Sequence, residues 1–126
     1  MAVEGFSEYD RKDRELYNRM RWWLGMTWGD LLDKASDIYP GKTGLVDSTG
    51  SWTYSEIRQQ VDKLAVALIN LGIKTGEWVL LQFPNWHEYI ISFFAAQKIG
   101  ALTLLLIPRH NQSEIGYLSK LTKPVA

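Results

Sequence analysis

Leu80-Leu81-Gln82-Phe83-Pro84 runs straight into Asn85-Trp86-His87-Glu88, and Leu104-Leu105-Leu106-Ile107-Pro108 is followed, two residues on, by Asn111-Gln112-Ser113-Glu114. In each copy an apolar run ends in proline, and an asparagine stands where a helix cap would. One helix-length segment, Trp86 to Ile99, separates the two runs. Strand, helix and strand in that order require a crossover, so the two strands are expected to be parallel members of an α/β sheet. Ligands of open α/β sheets bind beyond the carboxyl ends of the strands. That rule singles out Asn85, His87, Arg109 and His110 as the candidate contact residues.

The intervening helix is apolar nearly all round, with Tyr89, Ile90, Ile91, Phe93, Phe94 and Ala95 among its residues. Such a helix is expected to be buried on most sides. Leu102 to Ile107 is a continuous apolar run, as expected of a strand covered on both faces. Upstream, Thr53-x-x-Glu56 forms a capping box. The helix it opens carries Ile57, Val61, Leu64, Ala65, Leu68 and Leu71 on one stripe. Gly72 supplies a left-handed stop, and Ile73 is the apolar residue expected after it. Gly44–Asp47 and Ser51–Tyr54 flank Ser48-Thr49-Gly50 and predict a β-hairpin. Before it, Thr27 caps a helix bearing Trp28, Leu31, Leu32, Ala35 and Ile38, with Asp30 completing a weaker box and Pro40-Gly41 ending it. A last helix is expected over Ser113–Leu121, and a further strand would begin near Lys123–Ala126.

The expected fold is therefore α/β: a partial parallel sheet of a Rossmann-like layered subdomain, with a β-hairpin and flanking helices. A central parallel strand needs neighbours on both sides, and two strands with one hairpin do not obviously supply them. Residues 1–26 are read as an N-terminal arm and residues 27–126 as an incomplete subdomain, a truncated piece of something larger.

Composition narrows the function classes. Lys+Arg and Asp+Glu are both 14, so no net field favours nucleic acid or an anionic membrane. The chain has no cysteine, which excludes disulfides, thiolate chemistry and cysteine-ligated metals. The N-terminus lacks a signal-peptide core. The longest apolar stretch, Ile99 to Pro108, is about half the roughly twenty residues that a membrane span needs. A cytoplasmic location is expected. The arm collects Arg11, Lys12, Arg14, Arg19 and Arg21 ahead of Trp22 and Trp23. A basic segment ending in tryptophans could lie on a membrane surface. Asp10, Asp13 and Glu15 interrupt the run, which favours an arm packed through its aromatics on a larger body.

Few residues carry chemistry by themselves. Gly41-Lys42-Thr43 has the letters of a phosphate loop, but the required glycine five residues earlier is Ser36 and the strand–loop–helix order is reversed. A turn with a solvated lysine explains it. No Gly-x-Gly-x-x-Gly occurs. Neither histidine has a second histidine nearby, so no metal site is expected. No nucleophile–base pair is suggested by spacing. The Asn85, His87, Arg109 and His110 edge is a pocket position, and the bland reading of each histidine there is a polar surface or helix-start residue.

Trp52-Thr53-Tyr54-Ser55-Glu56-Ile57 resembles the first motif of the adenylate-forming enzymes, in which a threonine or serine, a tyrosine and a glutamate open a helix. Phe93 to Pro108 is similar to their second: small residues, a glycine, then an apolar strand ending in proline. Leu106 to Leu118 resembles the branch that activates aryl acids such as 2,3-dihydroxybenzoate, through Pro108, His110, Ser113, Glu114, Ile115 and Tyr117. Asn111 departs from the arginine of that branch. Gly5 to Leu32 is also like the branch's N-terminal arm. The resemblance implies a large ATP- and magnesium-dependent enzyme acting on a small carboxylic acid. It also implies coenzyme A or a carrier phosphopantetheine as thiol acceptor. The family's phosphate loop, ribose-binding aspartate and catalytic lysine have no matching positions here, so no catalytic residue is carried over. The implied partner is the remainder of the same polypeptide, with self-association through an exposed apolar seam. The alternative is a stand-alone small α/β module docking a partner or nucleotide at the Asn85/His110 edge, or an interaction domain apposed to a membrane through Trp22 and Trp23.

Overall fold

The computed structural model describes residues 9–126; the first eight residues, part of the expected arm, lie outside the described residues. The elements are α1 (Arg11–Arg19), α2 (Trp28–Ile38), β1 (Thr43–Asp47), β2 (Gly50–Thr53), α3 (Tyr54–Asn70), β3 (Trp78–Gln82), α4 (His87–Lys98), β4 (Leu102–Leu106) and α5 (Gln112–Thr122).

Local chemistry explains most of the boundaries. Thr27 with Asp30, Thr53 with Glu56 and Asn111 with Glu114 each form a reciprocal capping box, so α2, α3 and α5 start with their first donors satisfied. At the other end of α3, Gly72 adopts φ +91°. Its N–H donates to Ile69 and that of Ile73 to Leu68, the paired bonds of a Schellman stop. Ile73 is buried as that motif requires, but Leu71, expected on the apolar stripe, is 77% exposed.

The hairpin β1–β2 is antiparallel and β3–β4 is parallel, with Trp78 opposite Leu102 and Gln82 opposite Leu106. The crossover is α4, which packs on α2 and α3 as well as on both parallel strands. One core cluster joins Leu32 of α2, Ile57, Val61 and Ala65 of α3, and Ile91 and Ala95 of α4. A second joins Ile73, Val79 and Leu81 to Ala96 and Ala101. On the other edge of β3, Val125 N–H donates to Trp78 and Leu80 N–H donates to Ala126. β3 thus has backbone partners on both sides, although the strand expected near Lys123–Ala126 does not form among the described residues and the parallel sheet has two strands.

An ionic network ties the three packed helices together. Lys98 of α4 reaches Asp33 of α2 at 2.6 Å and Asp62 of α3 at 2.5 Å. Arg58 of α3 reaches Asp33 at 3.1 Å and Asp37 at 2.5 Å.

Three expectations are corrected. Asn85 does not cap α4: Trp86 takes the N-cap position and makes no side-chain cap bond. The second strand is not covered on both faces by the described residues, since Leu105 is 44% and, just past the strand, Ile107 is 59% exposed. Helix α4 buries only Ile91, Ala95 and Ala96 fully, although its ring of apolar residues suggested burial on most sides. In the arm, the aromatics pack on one another: Tyr17 stacks on Trp22 at 5.6 Å, and Trp23 meets Tyr9 and Tyr17 edge-on at 5.1 and 5.2 Å. No helix among the described residues is long and apolar enough to cross a membrane.

Candidate functional site

The parallel pairing brings the ends of β3 and β4 side by side, so Gln82 and the Ile107–His110 turn lie at one edge. The turn is closed by His110 N–H donating to Ile107 at 3.1 Å. Gln82 then spans the gap between strands. Its amide nitrogen donates toward the carbonyl oxygens of Ile107 at 3.2 Å, Pro108 at 3.4 Å and His110 at 3.2 Å. Arg109 is exposed, while the His110 ring is partly buried and its Nδ1 has no hydrogen-bond partner among the described residues. Asn111 is engaged as the cap of α5, accepting from the N–H groups of Ser113 and Glu114.

His87 belongs to a different arrangement. Its backbone N–H and its Nδ1 both meet Asp47 Oδ2 at 2.9 Å. Its ring stacks on Trp52 with centroids 4.0 Å apart. The other oxygen of Asp47 accepts from the Thr49 N–H and hydroxyl and from Gly50 N–H. Asp47 is therefore the α4 cap, supplied from the hairpin turn forty residues earlier. The Thr49 hydroxyl, with the N–H groups of Thr49 and His87 and the His87 ring, outweighs burial and holds the Asp47 carboxyl well below the usual carboxylate range.

Of the four expected site residues, the fold groups Arg109 and His110 on one turn, leaves Asn85 exposed, and turns His87 into a junction between the hairpin and the crossover helix. Asp47, Trp52 and Gln82 escaped the sequence reading. An Asp-Ser-Thr-Gly turn is a recognisable Asx-turn signal, but nothing local says that its carboxylate reaches another helix.

Asp47, His87 and Glu88 place their donor atoms within 4.8 Å of one another, a spacing that could hold a cation. Both Asp47 oxygens are already taken by five donors, so the cluster is satisfied as a capping junction. The helix starts at this edge are also occupied, with Asn111 on α5 and Asp47 on α4. These residues do not fit as a cradle for ATP or magnesium.

Residues 32–126 match the family model for the AMP-binding enzymes. The chain belongs to that family. It is 31% identical over 124 residues to 2,3-dihydroxybenzoate-AMP ligase of Bacillus subtilis (strain 168), covering 98% of this chain and 23% of that protein. It is 29% identical over 123 residues to salicyl-AMP ligase / salicyl-S-ArCP synthetase of Mycobacterium tuberculosis, covering 94% and 22% respectively. The apo structure of MbtA from Mycobacterium smegmatis superposes with a TM-score of 0.92 at 25% identity, over 97% of this chain and 23% of that one. The chain thus spans under a quarter of the length of these relatives. The α/β architecture with its parallel pair and hairpin is that of the matched part of an adenylation enzyme.

Proposed function

We propose that this chain is the N-terminal scaffold of a cytoplasmic ATP-dependent acid–thiol ligase that activates an aryl carboxylic acid. In the whole polypeptide the carboxylate attacks the α-phosphate of ATP, forming the acyl-adenylate and releasing pyrophosphate. A thiol then attacks the acyl carbon, forming the thioester and releasing AMP. Coenzyme A or a carrier phosphopantetheine supplies that thiol; the salicyl-S-ArCP product in the name of one relative favours the carrier. Magnesium accompanies ATP.

The observation that carries this reading is the pairing of nearly complete coverage of this chain with under a quarter of the relative's length, in relatives whose names specify aryl acids. Helix α5, none of whose residues is fully buried, fits a scaffold role. So do the exposed Leu105, Ile107, Tyr117 and Leu121, an apolar surface for the remainder of the polypeptide to cover. In this reading residues 1–26 are the arm on that body and residues 27–126 part of its first subdomain.

ATP–pyrophosphate exchange tests the assignment. The purified 126-residue chain is expected to show background exchange with salicylate or 2,3-dihydroxybenzoate, because the candidate edge among its described residues does not fit as a nucleotide cradle. Turnover above background by this chain would overturn the scaffold role. Left alone, the same apolar surface drives self-association, so a strict monomer by light scattering at high concentration would count against that surface being a seam.

A further inference from the structure

Helices α2, α3 and α4 do not close completely against the hairpin. Between them lies a cavity of about 280 Å³. Its floor belongs to the core: Leu32 and Ile57 line it and are 4% and 3% exposed. One wall is tight. Tyr54 is held by its backbone N–H bond to the Lys42 carbonyl, and its ring lies so near Gly44 that a Cβ there would meet it at 3.0 Å. On the open side stand Leu31 and Trp28, the latter edge-on to Phe93 at 6.4 Å.

The lining states what would fit. None of its residues is charged, so an anion entering the cavity would leave its water for nothing that pairs it. A carboxylic acid, ionised at neutral pH, does not suit it. Two polar side-chain groups belong to the lining, the Trp28 indole N–H and the Tyr54 hydroxyl. Neither has a hydrogen-bond partner among the described residues. The Tyr54 hydroxyl can both donate and accept. Size narrows the choice further. An apolar cavity of about 150 Å³ holds one benzene ring, so this one has room for two fused rings. It is too small to admit a helix, whose diameter is about 10 Å.

We propose that this cavity binds a small neutral aromatic molecule: two fused rings carrying one hydroxyl, which shares a hydrogen bond with Tyr54. The site stands whether or not the whole polypeptide is a ligase.

2-Naphthol, uncharged at neutral pH, is the probe, titrated into the isotopically labelled 126-residue chain and followed by NMR. Saturable one-to-one binding is expected, with a Kd of about 0.1 mM, the scale for so small a ligand. The Trp28 indole signal should shift, and the methyl of Ala35, another lining residue, should show contacts to the naphthol protons. Ala35→Phe fills the cavity and should weaken binding by about tenfold or more, with backbone signals remote from the cavity unchanged. Tyr54→Phe keeps the ring and loses only the hydroxyl, so binding should weaken about fivefold, the scale of one hydrogen bond. 2-Naphthoate has the same rings and a charge, and should bind about tenfold more weakly or not at all.

No saturable binding of 2-naphthol up to about 1 mM, or undiminished binding by Ala35→Phe, would overturn the site. If Ala35→Phe unfolds, the contacts to the Ala35 methyl in the unmutated chain decide instead, and their absence overturns it. Equal affinity for 2-naphthoate would overturn the neutral class, and unchanged affinity in Tyr54→Phe would overturn the hydrogen bond. Binding by this chain that the whole polypeptide lacks would give the cavity to a side chain of the remainder and overturn the small-molecule reading.

Discussion

Lys98→Met should cost this fold about 2 kcal/mol, and the figure follows from where the charge sits. The Lys98 side chain is 15% exposed, and its ammonium bonds Asp33 at 2.6 Å and Asp62 at 2.5 Å. Exposed ion pairs contribute about 0.2–1 kcal/mol, whereas stripping one partner from a fully buried pair costs about 3–5 kcal/mol. Lys98 lies near the buried limit, but solvent reaches Asp33 and Asp62, which are 35% and 50% exposed. Arg58 also stays 3.1 Å from Asp33 to compensate it. Methionine keeps most of the stem that Gly29 of α2 packs against. The expected loss of about 2 kcal/mol lies between those limits, and corresponds to a Tm lower by roughly 8 °C in a domain of this size. Urea unfolding followed by circular dichroism measures it, and a cycle with Asp33→Asn should return a coupling of about 1 kcal/mol. The pH dependence supplies an independent check. Burial pulls the Lys98 pKa down, but the bonds to Asp33 and Asp62 outweigh it, so the folded value is raised. The stabilisation is then fully present below the ordinary lysine value of about 10.4 and is lost as pH rises through the folded value. The gap between wild type and Lys98→Met should therefore close in strong alkali. A loss under about 0.5 kcal/mol, the scale of an ordinary exposed pair, or a gap that persists there, would refute the reasoning.

Asp47→Asn bears on the junction between hairpin and crossover helix. Because the folded carboxyl of Asp47 is held low, its contribution is present above the unfolded value of about 3.9 and is lost as pH falls through the folded one. Calorimetric Tm should fall more steeply for wild type than for Asp47→Asn as pH drops below about 4, and parallel curves would contradict this. Gly100 adopts φ +73°, and a Cβ there would lie 2.8 Å from Thr75 Cγ2, whereas Gly25 at φ +66° faces open space. Gly100→Ala should cost about 2 kcal/mol or more and Gly25→Ala about 1 kcal/mol, read from denaturant midpoints. Thr53→Ala removes the hydroxyl that accepts from Glu56 N–H. It should cost about 1 kcal/mol in the same assay.

The elements that can be read from the chain are those whose causes are local. Two capping boxes, the Asn111 cap and the Gly72 stop rest on residues within a few positions of each other, and the parallel crossover rests on the order of three successive segments; all appear where their patterns place them. Burial is less legible because it depends on what lies opposite. Leu71 continues the helical stripe of α3 yet points to solvent, and Ser36 is buried beside Leu32 on α2 although it is polar. The α4 cap shows the limit most clearly. Asn85 stands at the expected position, but the donor that needs satisfying is met by Asp47 of the hairpin, which no local pattern reports.

The candidate site divides along the same line. That Arg109 and His110 share a strand-end turn follows from the apolar run and its proline. That Gln82 reaches this turn does not, since the contact depends on the register of two strands. His87 looked like an edge residue and proved to be held by Asp47 and Trp52. Family membership was legible because its motifs are capping and strand-ending patterns with a physical role in the fold.

Acid-dependent ATP–pyrophosphate exchange by the whole polypeptide is the measurement that bears most directly on the proposed role. An aryl carboxylic acid should drive exchange well above that seen with an aliphatic acid of similar size, and the 126-residue chain alone should drive none. Exchange that no acid stimulates, or exchange sustained by this chain without the rest, would contradict it.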